Sequence, residues 1–271
     1  MRPAVWPTRA DEKAVLPHSS QPTVDPDFTM AHRRSFVLVH GAWYGAWVWQ
    51  DVLARLRGLG HVASAPTLTG LGERRHLEHG RVDLDTHVED VVAHIEMEDL
   101  RNLTLVGWSY AGMVVTGVQA RIPERIRDIV YLDAFLPDDG QALVDYALPE
   151  IRPSYEAARV NDLPIPPVPV AASGITDPKT IAFVEPRLVS QPWQTFFQPV
   201  KVLKTRPDIP LAYVVCAQTN PSPFMPRLAE MQANPAIRTA ILNTHHQPML
   251  SIPDETVSVM VGDHACLRLT A

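Results

Sequence analysis

A serine flanked by very small residues is the feature that most constrains this chain. It lies in the run Gly107-Trp-Ser-Tyr-Ala-Gly112, after an apolar stretch at 103–106 and before a helix-like stretch at 113–121. A serine on a sharp strand-to-helix turn stands exposed at the carboxyl end of a sheet, and the helix start aims backbone N–H groups at an anion formed there. The run therefore predicts a nucleophile, Ser109; a serine that only caps a helix is the alternative.

Strand-like and helix-like segments alternate from residue 35 onward. Amphipathic stretches at 47–58 and 85–99 have the apolar spacing of helices. Short runs rich in β-branched residues are typical of strands buried on both faces. Such alternation implies βαβ crossovers and a mostly parallel sheet, so the fold class is α/β. The predicted strands are 35–40, 61–65, 103–106, 126–132, 211–216 and 237–242.

A proline-rich interval interrupts this rhythm. Residues 137–210 hold 13 of the 26 prolines, and proline cannot donate to a sheet ladder. We expect an insertion at 137–205 over one edge of the sheet, with a core formed by 35–136 and 206–271. Residues 1–34 have five prolines and no sustained apolar period, which predicts a disordered extension. Short helices are expected in the insertion around 152–160, 178–190 and 192–203.

Composition excludes several classes of protein. A net charge of −6 without any Lys/Arg run argues against a nucleic-acid partner. No stretch reaches about 18 uninterrupted apolar residues, so no membrane helix is expected. Cys216 and Cys266 are too few for a disulfide framework, although one disulfide stays open, and no motif for a metal or a cofactor is present. We expect a cytoplasmic monomer or homodimer.

A nucleophilic serine needs a base and a carboxylate that orients the base. His245 and His246 follow the last predicted strand, which makes them the candidates for the base. The loop after the 211–216 strand contains no Asp or Glu, so it cannot supply the acid. Asp133 directly follows the 126–132 strand and is the predicted acid; an Asp that only caps the next turn is the alternative.

The oxyanion formed by serine attack on a carbonyl needs two N–H donors. The amide of Tyr110, next to the serine, is one candidate. The loop after the first strand supplies the other, which we assign to the amide of Ala42, because Gly41 before it permits a close backbone approach. His40 is expected to hold this loop by hydrogen bonds and not to act as a second base.

Several of these motifs together resemble the α/β-hydrolase superfamily, and within it bacterial esterase-like members related to plant methyl esterases and hydroxynitrile lyases. The resemblance implies an α/β-hydrolase fold with about six strands, a helical cap formed by the insertion, and His246 as the base. Hydroxynitrile lyases resemble the chain too, but they carry a lysine directly after the base, where Gln247 stands here, and this argues against lyase chemistry. The motifs are residues 36–43, 66–77, 107–112 and 130–138.

Aromatic residues cluster where a pocket would form, near the oxyanion loop and in the insertion. They favour a small apolar or aromatic substrate, although packing between cap and core is the alternative. The function favoured is a serine hydrolase that cleaves a carboxylic ester through an acyl-enzyme. A carbamate, amide or lactone substrate, C–C bond lysis, and ligand binding without turnover stay open. The predicted pocket residues are Trp43, Trp108, Phe135, Trp193 and Phe197, with Tyr44, Trp47 and Phe196 in the same clusters.

Overall fold

The structure is a computed structural model that describes residues 33–77, 82–203 and 208–262. The extension predicted at 1–34 lies outside these ranges except for its last two residues. Residues 206–207 and 263–271 of the predicted core, with Cys266, also lie outside them. The division into core and insertion stays a prediction.

One parallel sheet forms the centre of the described chain. Its strand order is β2-β1-β3-β4-β5-β6, and every neighbouring pair runs parallel. The six-stranded α/β-hydrolase architecture predicted from the sequence is thereby confirmed. The strands are Ser35–Val39 (β1), Val62–Ser64 (β2), Leu103–Ser109 (β3), Ile126–Ala134 (β4), Leu211–Cys216 (β5) and Ile237–Leu242 (β6).

Helices connect the strands and form the insertion. Within the described ranges no helix has the length and apolar character needed to cross a membrane. The α-helices are Gln50–Gly58 (α1), Leu84–Met97 (α2), Ala111–Arg121 (α3), Arg152–Val160 (α4), Pro178–Val184 (α5), Gln194–Phe197 (α6), Met225–Gln232 (α7), Pro248–Ser251 (α8) and Pro253–Val261 (α9). Short 3-10 turns are Ala46–Trp49, Gly72–Leu77, Pro123–Arg125, Leu143–Tyr146, Val170–Ser173 and Glu185–Arg187.

Both faces of the sheet are buried. Successive side chains of a strand point to opposite faces, and β1 shows this directly: Phe36 and Leu38 join one apolar cluster, whereas Val37 and Val39 join the other. Helices α1 and α9 contribute to the first cluster, and α2, α3 and α7 to the second. The continuous apolar runs of the strands therefore follow from a sheet covered on both sides.

Two strands extend further than their apolar runs predict. β3 continues to Ser109 because Gly107 and Trp108 pair with Tyr131 and Leu132 of β4. β4 in turn continues to Ala134. This extra length carries Ser109 and Asp133 to the same end of two adjacent strands.

The insertion is less helical than the sequence predicts. The helix expected over 178–190 ends at Val184 and is followed by the 3-10 turn Glu185–Arg187, which contains Pro186. The helix expected over 192–203 is only Gln194–Phe197, because Pro199 follows it closely. By contrast, the helix at Arg152–Val160 has the expected bounds. Residues of this segment, among them Tyr155 and Phe196, line the same cavity as Ser109.

Candidate active site

Ser109 occupies a strained turn between β3 and α3. Its φ is 57°, in the left-handed region that a non-glycine residue adopts only at a cost in free energy. Small neighbours make this turn possible. A Cβ at Gly107 would lie 2.8 Å from the carbonyl oxygen of Ala111, and a Cβ at Gly112 would collide with the backbone of Phe135. The glycines therefore let helix α3 cross close to β3, and the serine lies at the carboxyl end of that strand.

His246 links the serine to a buried carboxylate. Its Nε2 lies 2.9 Å from Ser109 Oγ, and its Nδ1 lies 2.7 Å from Asp133 Oδ2. The Asp133 side chain is fully buried, whereas the His246 side chain is 17% exposed. The carboxylate requires a proton on Nδ1, so Nε2 of the neutral ring is free to accept the serine proton. Three residues far apart in the sequence thus form one hydrogen-bonded chain.

Asp133 is held by groups from two segments besides the histidine. Its Oδ1 accepts a hydrogen bond from the backbone N–H of Cys216 at 2.9 Å, and its Oδ2 accepts one from Thr219 Oγ1 at 2.7 Å. Its own φ is 43°. Burial, followed by the nearby carboxylate, raises the pKa of the Cys216 thiol, which keeps this cysteine protonated and unreactive. No local sequence signal identifies Thr219 as a partner of Asp133.

Aromatic residues hold the histidine loop. Trp108 donates its indole N–H to the backbone carbonyl of His246 at 2.7 Å and is almost fully buried. The ring of Phe224 stacks on the His246 ring with centroids 5.4 Å apart. Trp108 lines the cavity and also holds the backbone of the His246 loop. Phe224 was missed, since nothing in its local sequence links it to His246.

His245 is placed differently from its neighbour. Its Nδ1 accepts the backbone N–H of Gln247 at 3.3 Å, and it is not among the residues that line the cavity. Burial lowers the pKa of its imidazole. Of the two histidines after β6, it is therefore His246 whose ring contacts Ser109.

The loop after β1 lies against the serine. A Cβ at Gly41 would lie 3.1 Å from the Ser109 Cβ, and Ala42 and Tyr110 both line the cavity beside the serine. His40 anchors this loop: its Nδ1 donates to the Gly41 carbonyl at 2.8 Å, and its Nε2 accepts the N–H of a neighbouring loop at 3.1 Å. Burial lowers the pKa of His40 to about 4, so the ring is neutral near pH 7.

A cavity of about 250 Å³ opens onto the serine. Among the described residues, no Asp, Glu, Lys or Arg lines it. Of the residues expected to form a substrate pocket, Trp43, Trp108 and Phe135 lie in its wall. The wall also includes Tyr44, Tyr110, Leu143, Tyr146, Ile151, Tyr155, Val168, Val170, Phe196, Asn220, Pro221, Pro223, Phe224 and Gln247.

Two predicted pocket residues, Trp193 and Phe197, do not line this cavity. The indole N–H of Trp193 bonds Asp162 at 2.8 Å, and Phe197 packs edge-on against Trp193 with centroids 5.8 Å apart. Phe197 points away from Phe196 because successive residues of a helix point about 100° apart. Trp193 precedes the helix and is held by its bond to Asp162. Phe196, the buried neighbour, faces the cavity instead, and those two residues turn away from it.

Within the described ranges, no group of three or more His, Cys, Asp or Glu side chains is placed to hold a metal ion. The chemistry available at this site comes from a hydroxyl, an imidazole, a carboxylate and backbone amides.

Comparisons with known proteins agree with the fold. The carbendazim hydrolyzing esterase of Nocardioides sp. (strain SG-4G) is 34% identical over 237 residues, which cover 82% of this chain and 96% of that protein. Polyneuridine aldehyde esterase of Rauvolfia serpentina is 32% identical over 114 residues, or 41% of this chain and 42% of that protein. Among solved structures, an extracellular α/β-hydrolase from a Paenibacillus species gives a TM-score of 0.72 at 23% identity, covering 84% of this chain and 98% of that one.

A family model gives the same result over most of the chain. The model described as the alpha/beta hydrolase family matches residues 36–259, from the first strand to the last described helix. The matched range contains the sheet, the insertion and every residue of the hydrogen-bonded chain. The protein belongs to the alpha/beta hydrolase family.

Proposed function

We propose that this protein is a serine-dependent carboxylic ester hydrolase. The observation that carries the proposal is the continuous chain from Ser109 through His246 to Asp133, which ends at the wall of an uncharged cavity. Two curated relatives, from Nocardioides and Rauvolfia, are named as esterases. No observation favours the carbamate, amide, lactone or lyase alternatives, or binding without turnover.

The proposed reaction proceeds through an acyl-enzyme. Ser109 Oγ attacks the ester carbonyl while His246 Nε2 takes its proton, and the Asp133 carboxylate stabilises the imidazolium that results. The amides of Ala42 and Tyr110 donate to the oxyanion of the tetrahedral intermediate. His246 then gives the proton to the departing alcohol. A water molecule, deprotonated by the same imidazole, attacks the acyl-enzyme. The bond between the acyl carbon and Ser109 Oγ then breaks, His246 returns the proton to Oγ, and the carboxylic acid leaves.

The cavity favours a small, neutral and largely apolar ester. Its volume of about 250 Å³ lies near the lower end of the range for ligand pockets, roughly 300–1,000 Å³. A charged substrate would lose its hydration without gaining a charged partner. The ring of Phe196 meets Tyr155 and Tyr110 at centroid distances of 5.1 and 5.7 Å, and such a wall suits a flat aromatic group.

Tyr155 adds one polar group to this wall. Its hydroxyl hydrogen-bonds no residue in the described part of the chain, and burial raises the pKa of its phenol to about 12. The hydroxyl therefore stays protonated and can donate to an acceptor on the substrate. We infer that the preferred ester carries such an acceptor in addition to its reacting carbonyl.

Covalent labelling tests the proposed function. A fluorophosphonate should modify the wild-type protein at Ser109, and hydrolysis of p-nitrophenyl butyrate should show a burst of p-nitrophenol. Ser109→Ala should abolish both signals while its circular dichroism spectrum stays that of the wild type. The proposal fails if the folded wild-type protein is neither labelled nor active on any of a panel of neutral esters, or if the variant keeps turnover.

A monomer or homodimer in the cytoplasm is part of the proposal. Light scattering after size-exclusion chromatography measures the assembly, and fractionation of the native host measures the location. The low number of cysteines, two in 271 residues, is what supports a reducing compartment.

A further inference from the structure

The loop that carries Ala42 is tied to the insertion through the next residue, Trp43. The Trp43 backbone N–H donates to Gln191 Oε1 at 3.1 Å, and the Trp43 carbonyl accepts the N–H of Val189 at 3.0 Å. The Trp43 indole N–H donates to the carbonyl of Ile165 at 3.1 Å. All three partners belong to the insertion, so segments more than 120 residues away hold this residue in place.

The conformation of Trp43 needs such support. Its φ is 67°, which a tryptophan adopts only at a cost in free energy. A residue in this conformation persists when surrounding contacts overdetermine it. The bond to Gln191 fixes the plane of the Ala42–Trp43 peptide, whose N–H belongs to Trp43. The N–H of Ala42 lies one peptide earlier, and its direction depends on that plane through the backbone torsions of Ala42.

Gln191 is itself held on all sides. Its side chain is fully buried, and its Nε2 donates to Thr195 Oγ1 at 2.8 Å. Its backbone forms an antiparallel bridge with Ile165 through N–H···O bonds of 2.7 and 2.8 Å. A glutamine fixed at both its backbone and its amide can present Oε1 in only one position.

We propose that Gln191 is a positioning residue, through which the insertion aims the oxyanion donor of Ala42. The inference rests on the proposed function, since it assigns a purpose to a loop that matters only if an oxyanion forms. Loss of one oxyanion donor typically lowers kcat by about 10²–10³-fold, and its displacement costs part of that. Gln191 touches no reacting atom, so its effect should appear in the transition state and leave substrate binding nearly intact.

The test replaces Gln191 with methionine, which keeps the volume and removes the acceptor. For p-nitrophenyl butyrate we expect kcat to fall by about 10–100-fold while KM changes by less than about threefold. The affinity for phenylboronic acid, whose tetrahedral adduct on a serine resembles the intermediate, should fall with kcat. The affinity for benzamide, which forms no adduct, should stay within about twofold of the wild type.

Gln198→Met is the matched control. Gln198 also joins the insertion to the core through its amide, because its Oε1 accepts the Asp85 N–H at 3.0 Å and its Nε2 donates to Asp85 Oδ2 at 2.9 Å. Those bonds lie on helix α2 and not on the oxyanion loop. This variant should lower the melting temperature without changing kcat or boronate affinity.

Gln191→Asn keeps an amide but withdraws it from Trp43 by one methylene, and it should repeat the loss of kcat if the methionine variant does not fold. Wild-type kcat in a folded Gln191 variant would overturn the proposal, as would equal losses of boronate and benzamide affinity. Failure of the proposed function has a different signature, since the wild-type protein would then be neither labelled at Ser109 nor active.

Discussion

The role proposed for Asp133 can be tested by replacing one oxygen atom of its carboxylate. Its Oδ2 accepts from His246 Nδ1, and an amide in the same place would present either an oxygen or a nitrogen there. A nitrogen donor would force the proton onto Nε2, so the imidazole could no longer accept the serine proton. We expect Asp133→Asn to lower kcat for p-nitrophenyl butyrate by about 10⁴-fold, measured at saturating ester.

The matched change at the surface is Asp138→Asn. Asp138 pairs with Arg227 at 3.1 Å on an exposed part of the chain, and its loss should leave kcat within about twofold of the wild type. If Asp133→Asn turned over ester at the wild-type rate, another carboxylate would have to orient His246.

Local sequence predicts residues whose role depends on their neighbours along the chain. Ser109 and Asp133 each follow an apolar strand run, so a turn at the end of that run places them. Thr219 and Phe224 lie in a loop without such a signature, and only the packing of β5 beside β4 brings that loop to Asp133 and His246. Trp193 and Phe197 show the opposite error, since being aromatic and in the insertion does not say which way a side chain points.

Strand β3 and helix α3 pack so closely that one added carbon atom at their crossing should destabilise the fold. A Cβ at Gly112 would collide with the carbonyl of Phe135, where neither backbone can yield cheaply. We expect Gly112→Ala to lower the free energy of unfolding by at least about 2 kcal/mol, or to prevent soluble expression. Urea denaturation followed by tryptophan fluorescence measures the change.

Gly58→Ala is the control for this substitution. It is the last residue of α1, and no atom lies within 4 Å of a Cβ built there. The added methyl group should leave stability unchanged or raise it by up to about 1 kcal/mol, because alanine favours a helix more than glycine does. Equal effects of the two substitutions would show that Gly112 is not needed for close packing.

Elements of the sheet were easier to predict than those of the insertion, for a physical reason. The strand at Leu211–Cys216 has the predicted bounds because a continuous apolar run matches a strand that is covered on both faces. The edge strand Ile237–Leu242 also has the predicted bounds, although it contains Arg238 and Thr239 and is mostly only partly buried. The segments around Pro186 and Pro199 have helical composition, but proline ends or tightens the helix. The bridge between Ile165 and Gln191 joins two irregular segments and has no periodic signal at all.

Two buried histidines make the free energy of unfolding of the whole molecule depend on pH. Burial lowers the pKa of both His40 and His87 to about 4, from an ordinary value near 6.5. His87 Nε2 faces the carbonyl of Thr69 at 2.8 Å and so carries the proton, while its Nδ1 accepts from the Tyr110 hydroxyl at 2.9 Å. A second proton on either ring would place a charge in a buried site. It would also occupy the ring nitrogen that now accepts a hydrogen bond, from the Leu68 N–H in His40 and from the Tyr110 hydroxyl in His87.

The sign of the effect follows from proton counts. Between about pH 6.5 and 4 the unfolded chain binds more protons at these sites than the folded chain, so the free energy of unfolding falls as the pH falls. Each histidine contributes up to about 1.4 kcal/mol per pH unit in that window. Urea denaturation at pH 7.5 and at pH 5 should show the loss, and His87→Gln should reduce it by roughly one histidine's share. The exposed His76→Gln should leave it unchanged. A wild type and a His87→Gln variant with the same pH dependence would contradict the assignment.

The position of the acid at the end of β4 has a consequence for the neighbouring loop, 217–224. Asp133 lies on β4, whereas this loop follows β5 and does not itself carry the carboxylate that contacts the imidazole. Asn220, Pro221 and Pro223 of the loop line the cavity. Within this loop Thr219 and Phe224 contact Asp133 and His246, whereas those three residues contribute only cavity wall to the proposed site. Natural or engineered variation at those three positions can diversify the esters accepted while the relay stays as it is.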